Sequence, residues 1–269
     1  MDLAADRIAQ NDGPHRVTRG SAVLLVRVSL LAALVVLLEV SCRTGVIDPM
    51  SVLPPSQMVA AMLEQLVSGD ATEPMVQTFT TVALAWACAV AGGTVLGALL
   101  HAAPRMRRAV DPLLASYYSV PTFVFYPLLV ALLGLSMAPL VVLGVLSAGP
   151  AMVISTLAGL DSVTPVLRRV ARVQRLGPVR TFVSVVLPAA MPSLFGGFKL
   201  ALSYALIGVI AGEFILSGSG LGYAISFAYQ SFDTRAMYGL MLFVLLVAIG
   251  ANTVLYAWEG RLARRRVRQ

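Results

Sequence analysis

Six apolar stretches of about 20 residues lie near 22–42, 76–101, 112–134, 138–160, 194–216 and 236–258, and a run of that length matches the hydrocarbon thickness of a bilayer. Inside hydrocarbon, backbone N–H and C=O groups must find partners within the protein, so stretches this long cross as helices. The predicted fold is all-α, a polytopic membrane protein with six transmembrane helices. The composition agrees. Hydrophobic residues make up 58% of the 269 positions, charged residues 12%, and the mean hydropathy is +0.84, more than a soluble core needs. Six crossings put both chain ends on one side.

The arginines give the orientation. Arg7, Arg16, Arg19 and Arg27 precede or enter the first stretch, and Arg105, Arg107 and Arg108 follow the second. Arg168, Arg169, Arg172, Arg175, Arg180 and Lys199 lie between the fourth and fifth, and Arg261, Arg264, Arg265, Arg266 and Arg268 end the chain. Only Arg43 and Arg235 fall on the opposite face, among Asp48, Glu64, Asp70, Glu73 and Asp233, so the positive-inside rule predicts cytoplasmic termini in an inner membrane. The net charge of +7 belongs to this flanking pattern and to membrane lipid. No aromatic residues interleave the arginines as stacking platforms, and no nucleic acid partner is expected. Cleavage of the first stretch as a signal peptide is disfavoured by Arg27 within it and by its ending, Glu39-Val40-Ser41-Cys42, which lacks a small-x-small site. Cys42 and Cys88 form no spacing motif and read as buried small apolar residues.

Four regions follow from this reading. Residues 1–20 are a polar tail, predicted disordered; 21–70 hold the first crossing and, after Leu53-Pro54-Pro55-Ser56, a short amphipathic outer helix; 71–260 form the main transmembrane domain with a cytoplasmic loop at 161–190; 261–269 are a basic tail. Within the membrane, Gly93-x-x-x-Gly97 and Gly208-x-x-x-Gly212 permit close helix approach. Pro121, Pro127 and Pro150 are each expected to kink or break a helix, which either lines a pathway or bends the bundle. Glu213, near the outer end of the fifth stretch, is costly in apolar surroundings and either bonds to the following Ser217-Gly218-Ser219-Gly220-Leu221-Gly222 turn or lines a translocation pathway. Glu39 reads as interfacial.

The cytoplasmic loop carries a delimited helix. Thr164 is predicted to cap it, Pro165 suits its first turn, and Gly177 before Pro178 is predicted to supply a left-handed stop. Val166, Val170 and Val173 share one stripe, while Arg168, Arg172 and Arg175 share a roughly opposite one, with Arg169 beside them. Such a helix is built to touch another protein. Catalytic chemistry has no foothold: His15 and His101 stand apart, and Lys199 is not in a glycine-rich phosphate loop. The chain is expected to bind no cofactor, no metal and no nucleotide of its own, and any ATP is used by a partner subunit.

Several stretches together carry a family resemblance: Leu53-Pro54-Pro55-Ser56, Asp111-Pro112-Leu113-Leu114, Val120-Pro121 with Tyr126-Pro127-Leu128, Val186-Leu187-Pro188-Ala189-Ala190-Met191-Pro192, Ala211-Gly212-Glu213, and Gly218-Ser219-Gly220-Leu221-Gly222-Tyr223. Over roughly residues 50–260 the chain resembles membrane permease subunits of ATP-binding-cassette importers of type I, most of all the nitrate/sulfonate/taurine type. The resemblance implies a dimer of permeases, cytoplasmic ATPase subunits and an extracytoplasmic solute-binding protein, with the 164–177 helix docking into the ATPase and a hinge at Leu187, Pro188 and Pro192. It implies a small solute, such as a sulfonate, nitrate or similar organic anion. One departure stands out. The family's loop carries a Glu-Ala-Ala-like signature with a glycine six residues after the glutamate, and an ungapped alignment puts Arg169 and Arg175 at those positions. The alternative reading is a secondary or proton-coupled transporter using Glu213, against which stand the few ionisable residues in the membrane and the well-delimited cytoplasmic helix.

Overall fold

Five helices are long and apolar enough to cross a membrane, Leu25–Arg43, Thr72–Ala102, Met137–Asp161, Pro178–Ile215 and Thr234–Glu259, with a shorter apolar one at Thr122–Leu133. The structure is a computed structural model that describes residues 15–48 and 51–266, without the side chains of 15–24, 118, 168, 216 and 260–266. Among the described residues there are helices and turns but no strand. The chain divides into two compact units, one ending at Ala60 and one beginning at Ala61.

In the first unit, α1 (His15–Arg43) is already helical at His15, within the segment expected as a polar tail; residues 1–14 lie outside the described residues. Most of the large apolar side chains described along α1 are exposed, as a lipid-facing helix requires. Glu39 does more than sit at an interface. Its carboxylate accepts from Arg43 Nε (2.6 Å), Ser56 Oγ (2.7 Å) and the Ser56 backbone N–H (3.0 Å), and so places negative charge at the N-terminus of α2 (Pro55–Ser68).

The second unit contains α3 (Thr72–Ala102), α4 (Pro104–Ser116), α5 (Tyr126–Leu133), α6 (Met137–Asp161), α7 (Pro165–Val173), α8 (Pro178–Thr181), α9 (Leu187–Leu216), α10 (Leu221–Gln230) and α11 (Thr234–Arg266). The core is α6 held between α3 and α9 around Val82, Ala85, Ala89, Ala148, Ala201, Ala205 and Val209. Without a hydrophobic drive between helices in lipid, close backbone approach supplies the attraction. Both glycine pairs serve it. A Cβ on Gly93 or Gly97 would stand 2.7 Å from the Cβ of Met152 or Thr156, and one on Gly208 or Gly212 would crowd Ser147 or Leu143 on α6. Hydroxyls in these helices are satisfied locally: Ser147 and Thr156 donate to the carbonyls of Leu143 and Met152, four residues back.

The third predicted stretch, 112–134, is not one helix. After α4 come a 3₁₀ turn at Tyr117–Ser119, extended residues at Val120 and Pro121, a second 3₁₀ turn at Thr122–Phe125, and then α5. The broken element still crosses, because its contacts climb α6 from end to end. Val110 and Leu114 pack with Val153 and Leu157, Tyr117 donates to the carbonyl of Leu146, Thr122 bonds Ser147, and Tyr126 packs on Leu140 and Leu143. The break therefore lies halfway along α6. Pro121, with ψ 101, causes it; Pro127 instead occupies the first turn of α5, where a missing N–H costs nothing, and Pro150 sits inside an unbroken α6.

Candidate functional site

The loop joining α6 to α9 begins at a fixed point. Asp161, the last residue of α6, receives a bidentate pair from Arg107 of α4 (2.9 and 2.7 Å) and lies 3.1 Å from His101 Nδ1 at the end of α3, so one carboxylate ties three helix ends together. The bond to Asp161 raises the Arg107 pKa above its ordinary value. From this clamp the chain buries Val163, then presents α7, whose Ala171 is only 2% exposed. The rest of α7 looks outward: Val166, Val170 and Val173 are 64%, 46% and 83% exposed. Arg169, Arg172, Arg175 and Arg180 are exposed as well, and the side chain of Arg168 lies outside the described residues.

The ends of α7 differ from the sequence-based expectation in two places. Thr164 stands at the N-cap with extended backbone, but its hydroxyl makes no capping bond. At the other end Gly177 is extended (φ −63°, ψ 162°) because the residue before a proline is pushed out of helical conformation. The reversal comes earlier, at Arg175, with φ 52°. The Leu176 N–H bonds the Ala171 carbonyl at 3.1 Å and the Arg175 N–H bonds that of Arg172 at 3.0 Å, the paired bonds of a left-handed helix stop. Arg175 is the residue aligned with the family's glycine, and a non-glycine there is strained.

Beyond the stop, α8, a π-helical turn at Phe182–Val186 and α9 run on as one apolar helix, Pro178–Ile215. The π turn ends at Val186, and Leu187, its cap, stands immediately before Pro188. That proline cannot donate to the carbonyl four residues back, so the ladder widens upstream of it; Pro192, one turn on, lies inside α9. The departure from α geometry thus falls beside Leu187, Pro188 and Pro192, between the outward-facing α7 and the packed core.

At the opposite end of α9, Glu213 has no exposed surface. Its Oε2 accepts the Gly222 N–H at 3.0 Å, and Thr78 Oγ1 of α3 lies 2.9 and 2.8 Å from its two oxygens while itself accepting the Leu221 N–H at 2.8 Å. Carboxylate and hydroxyl together satisfy the first amides of α10, where the helix dipole favours negative charge. The glycines make room for this. Gly220 has φ +97° and a Cβ there would collide with the Glu213 carboxyl carbon, while a Cβ on Gly222 would strike the Ile210 carbonyl. Of the two readings of Glu213, the geometry is that of the bonded turn.

Pro121 is level with Ser147, whereas Glu213 bonds Thr78 near the start of α3; Pro127 adjoins Tyr126, whose ring lies beside Gly212, the residue before Glu213. Sequence reasoning missed the Asp161–Arg107–His101 clamp and the ion pair of Lys199 on α9 with Glu259 on α11, where Lys199 Nζ also lies 3.9 Å above the Tyr256 ring. Arg107 and Asp161 are 54 positions apart and Lys199 and Glu259 are 60, so no local spacing signals either. Among the described residues no three His, Cys, Asp or Glu side chains are placed to hold a metal.

Comparison with known proteins adds what geometry does not. The taurine transport system permease protein TauC of Escherichia coli is 27% identical over 251 residues, 90% of each chain. The putative aliphatic sulfonates transport permease protein SsuC of Bacillus subtilis is 27% identical over 218 residues, covering 81% of this chain and 79% of its own length. The nitrate import permease protein NrtB of Leptolyngbya laminosa is 28% identical over 173 residues, 64% of this chain and 62% of that protein, so the chain spans less than two thirds of this relative. A solved structure of the MetNI methionine ABC transporter in inward-facing form superposes with TM-score 0.54 at 18% identity, over 76% of this chain and 97% of the other, which shows the shared fold. The family of binding-protein-dependent transport system inner membrane components matches residues 89–268. The chain belongs to that family.

Proposed function

We propose that the chain is one half of a permease dimer served by two cytoplasmic ATPase subunits and an extracytoplasmic solute-binding protein, with both termini in the cytoplasm. The observation that carries this reading is α7: a valine stripe exposed on a short helix, clamped through Asp161 at one side and continuous with α9 through the π turn at the other. Closure of the ATPases pushes α7, and the push reaches α9 as a rigid-body shift that alternates access. ATP is used by the partner; this chain transmits its effect.

The broken third crossing supports a second copy. Non-helical backbone at mid-membrane depth is tolerated where protein covers it or water lines it, and never against lipid. Val120 and Phe123 are nonetheless 47% and 44% exposed in the single chain. A second copy facing them, across a water-lined path, meets the requirement. The cargo is a small organic or inorganic anion of the sulfonate or nitrate kind, a reading that rests on the relatives' substrates. The test is topological: reporters fused after Arg108 or Arg175 read as cytoplasmic and those near Ser68 or Asp233 as external, whereas an external signal at Arg175 overturns the reading.

A further inference from the structure

We propose that α7 and the turn after it select an ATPase subunit whose receiving groove is rimmed by carboxylates, so that this permease is charge-matched to a dedicated acidic partner. The proposal rests on the importer reading and adds the chemistry of the partner to it. Between Asp161 and Glu213 the sequence contains no acidic residue, while Arg168, Arg169, Arg172, Arg175 and Arg180 fall within thirteen positions of one another. Arg169, Arg172, Arg175 and Arg180 are exposed, and their side chains form no hydrogen bond or ion pair among the described residues. The carboxylate at the end of α6, Asp161, is engaged by Arg107, which also lies 3.8 Å from Asp111. A cationic surface left unpaired beside an exposed valine stripe is complementary to an apolar groove with an anionic rim.

Phospholipid headgroups are the competing source of negative charge, and the length of the α8–α9 helix argues against them. Its 38 residues extend about 57 Å against a hydrocarbon layer of about 30 Å. With Glu213 near the outer end, the Phe182–Val186 turn on which α7 packs lies about 15 Å past the inner hydrocarbon edge, beyond a headgroup layer of roughly 5–8 Å. A helix standing upright in this way carries the arginines beyond the headgroups, to the height of a docked protein.

The test uses the full-length permease in nanodiscs of zwitterionic lipid and the ATPase subunit that it retains on purification, identified by its Walker A sequence and then purified. Wild-type affinity is expected to fall about tenfold or more as salt rises from 50 to 500 mM. Arg169→Glu with Arg172→Glu is expected to weaken binding at low salt by a similar factor, with the gap closing at high salt, and Arg169→Lys with Arg172→Lys to bind within about twofold of wild type. Binding that is indifferent to salt and to the paired reversal, while the ATPase still docks, overturns the charge match and leaves the importer reading standing. An effect seen only in anionic nanodiscs assigns the arginines to lipid and overturns it too. A wild-type chain that retains no ATPase at any salt overturns the importer reading itself, and this proposal with it.

Discussion

Single residues set the two ends of the machinery. Glu213 is buried with no counter-cation among the described residues, and its stability comes from Thr78 and the Gly222 amide. Glu213→Gln keeps one acceptor for the Gly222 N–H and can still pair with Thr78, so the fold survives and transport falls modestly, with a stability loss of about 1 kcal/mol. Glu213→Ala strands the amide and opens a cavity, costing about 2–4 kcal/mol, and Gly220→Ala does similar damage by steric conflict. Thermal unfolding of the three variants in detergent checks the ranking; a Gln variant as unstable as the Ala variant contradicts the capping account. At the other end Arg175 occupies a left-handed position, where glycine relieves about 1 kcal/mol. Arg175→Gly should therefore increase hydrogen-exchange protection of the α7 amides, and unchanged or reduced protection would count against the strain. Arg175 also shows where sequence reading stopped short. A visible glycine, Gly177, drew the helix stop to itself, yet the proline after it holds it extended. The partners of Glu213 were half legible, since Gly222 is nine residues away and Thr78 is 135.

At the scale of elements, the crossings were legible because runs of apolar residues are a direct consequence of the bilayer's thickness. The stretches expected at 76–101, 138–160 and 236–258 match Thr72–Ala102, Met137–Asp161 and Thr234–Glu259 to within a few residues. The fifth is longer than expected, beginning at Pro178, because a helix that leaves the membrane has no hydropathy boundary of its own. Proline effects were legible in kind but not in place. Pro121 breaks its element, Pro127 begins one, and Pro150 does neither, because the outcome depends on which turn the ring occupies and on what α6 packs against. The break makes a prediction of its own. Val120→Cys, in a chain with Cys42 and Cys88 replaced, should either crosslink to a second copy or react with a membrane-impermeant maleimide, because backbone of this kind does not face lipid. A cysteine reached by neither, yet labelled by a lipid-soluble reagent, contradicts the placement.

For the molecule as a whole, the proposed function makes one lever of three features: the Asp161 clamp, the outward valine stripe of α7, and the π turn leading into α9. The long-range half of that lever could not be read from the sequence, since helix ends that meet through Arg107 and Asp161 are brought together only by packing of α3, α4 and α6. The central claim is that the valine stripe delivers the partner's motion. Val170→Asp places an ion in a desolvated contact, where an unpaired charge costs several kcal/mol, whereas Arg169→Ala removes one rim charge worth about 1 kcal/mol or less. The decisive measurement is ATPase co-purification together with substrate-stimulated ATP hydrolysis, at matched membrane expression. The account predicts that Val170→Asp loses both while Arg169→Ala keeps both; a Val170→Asp chain that retains its ATPase and full stimulation would contradict it.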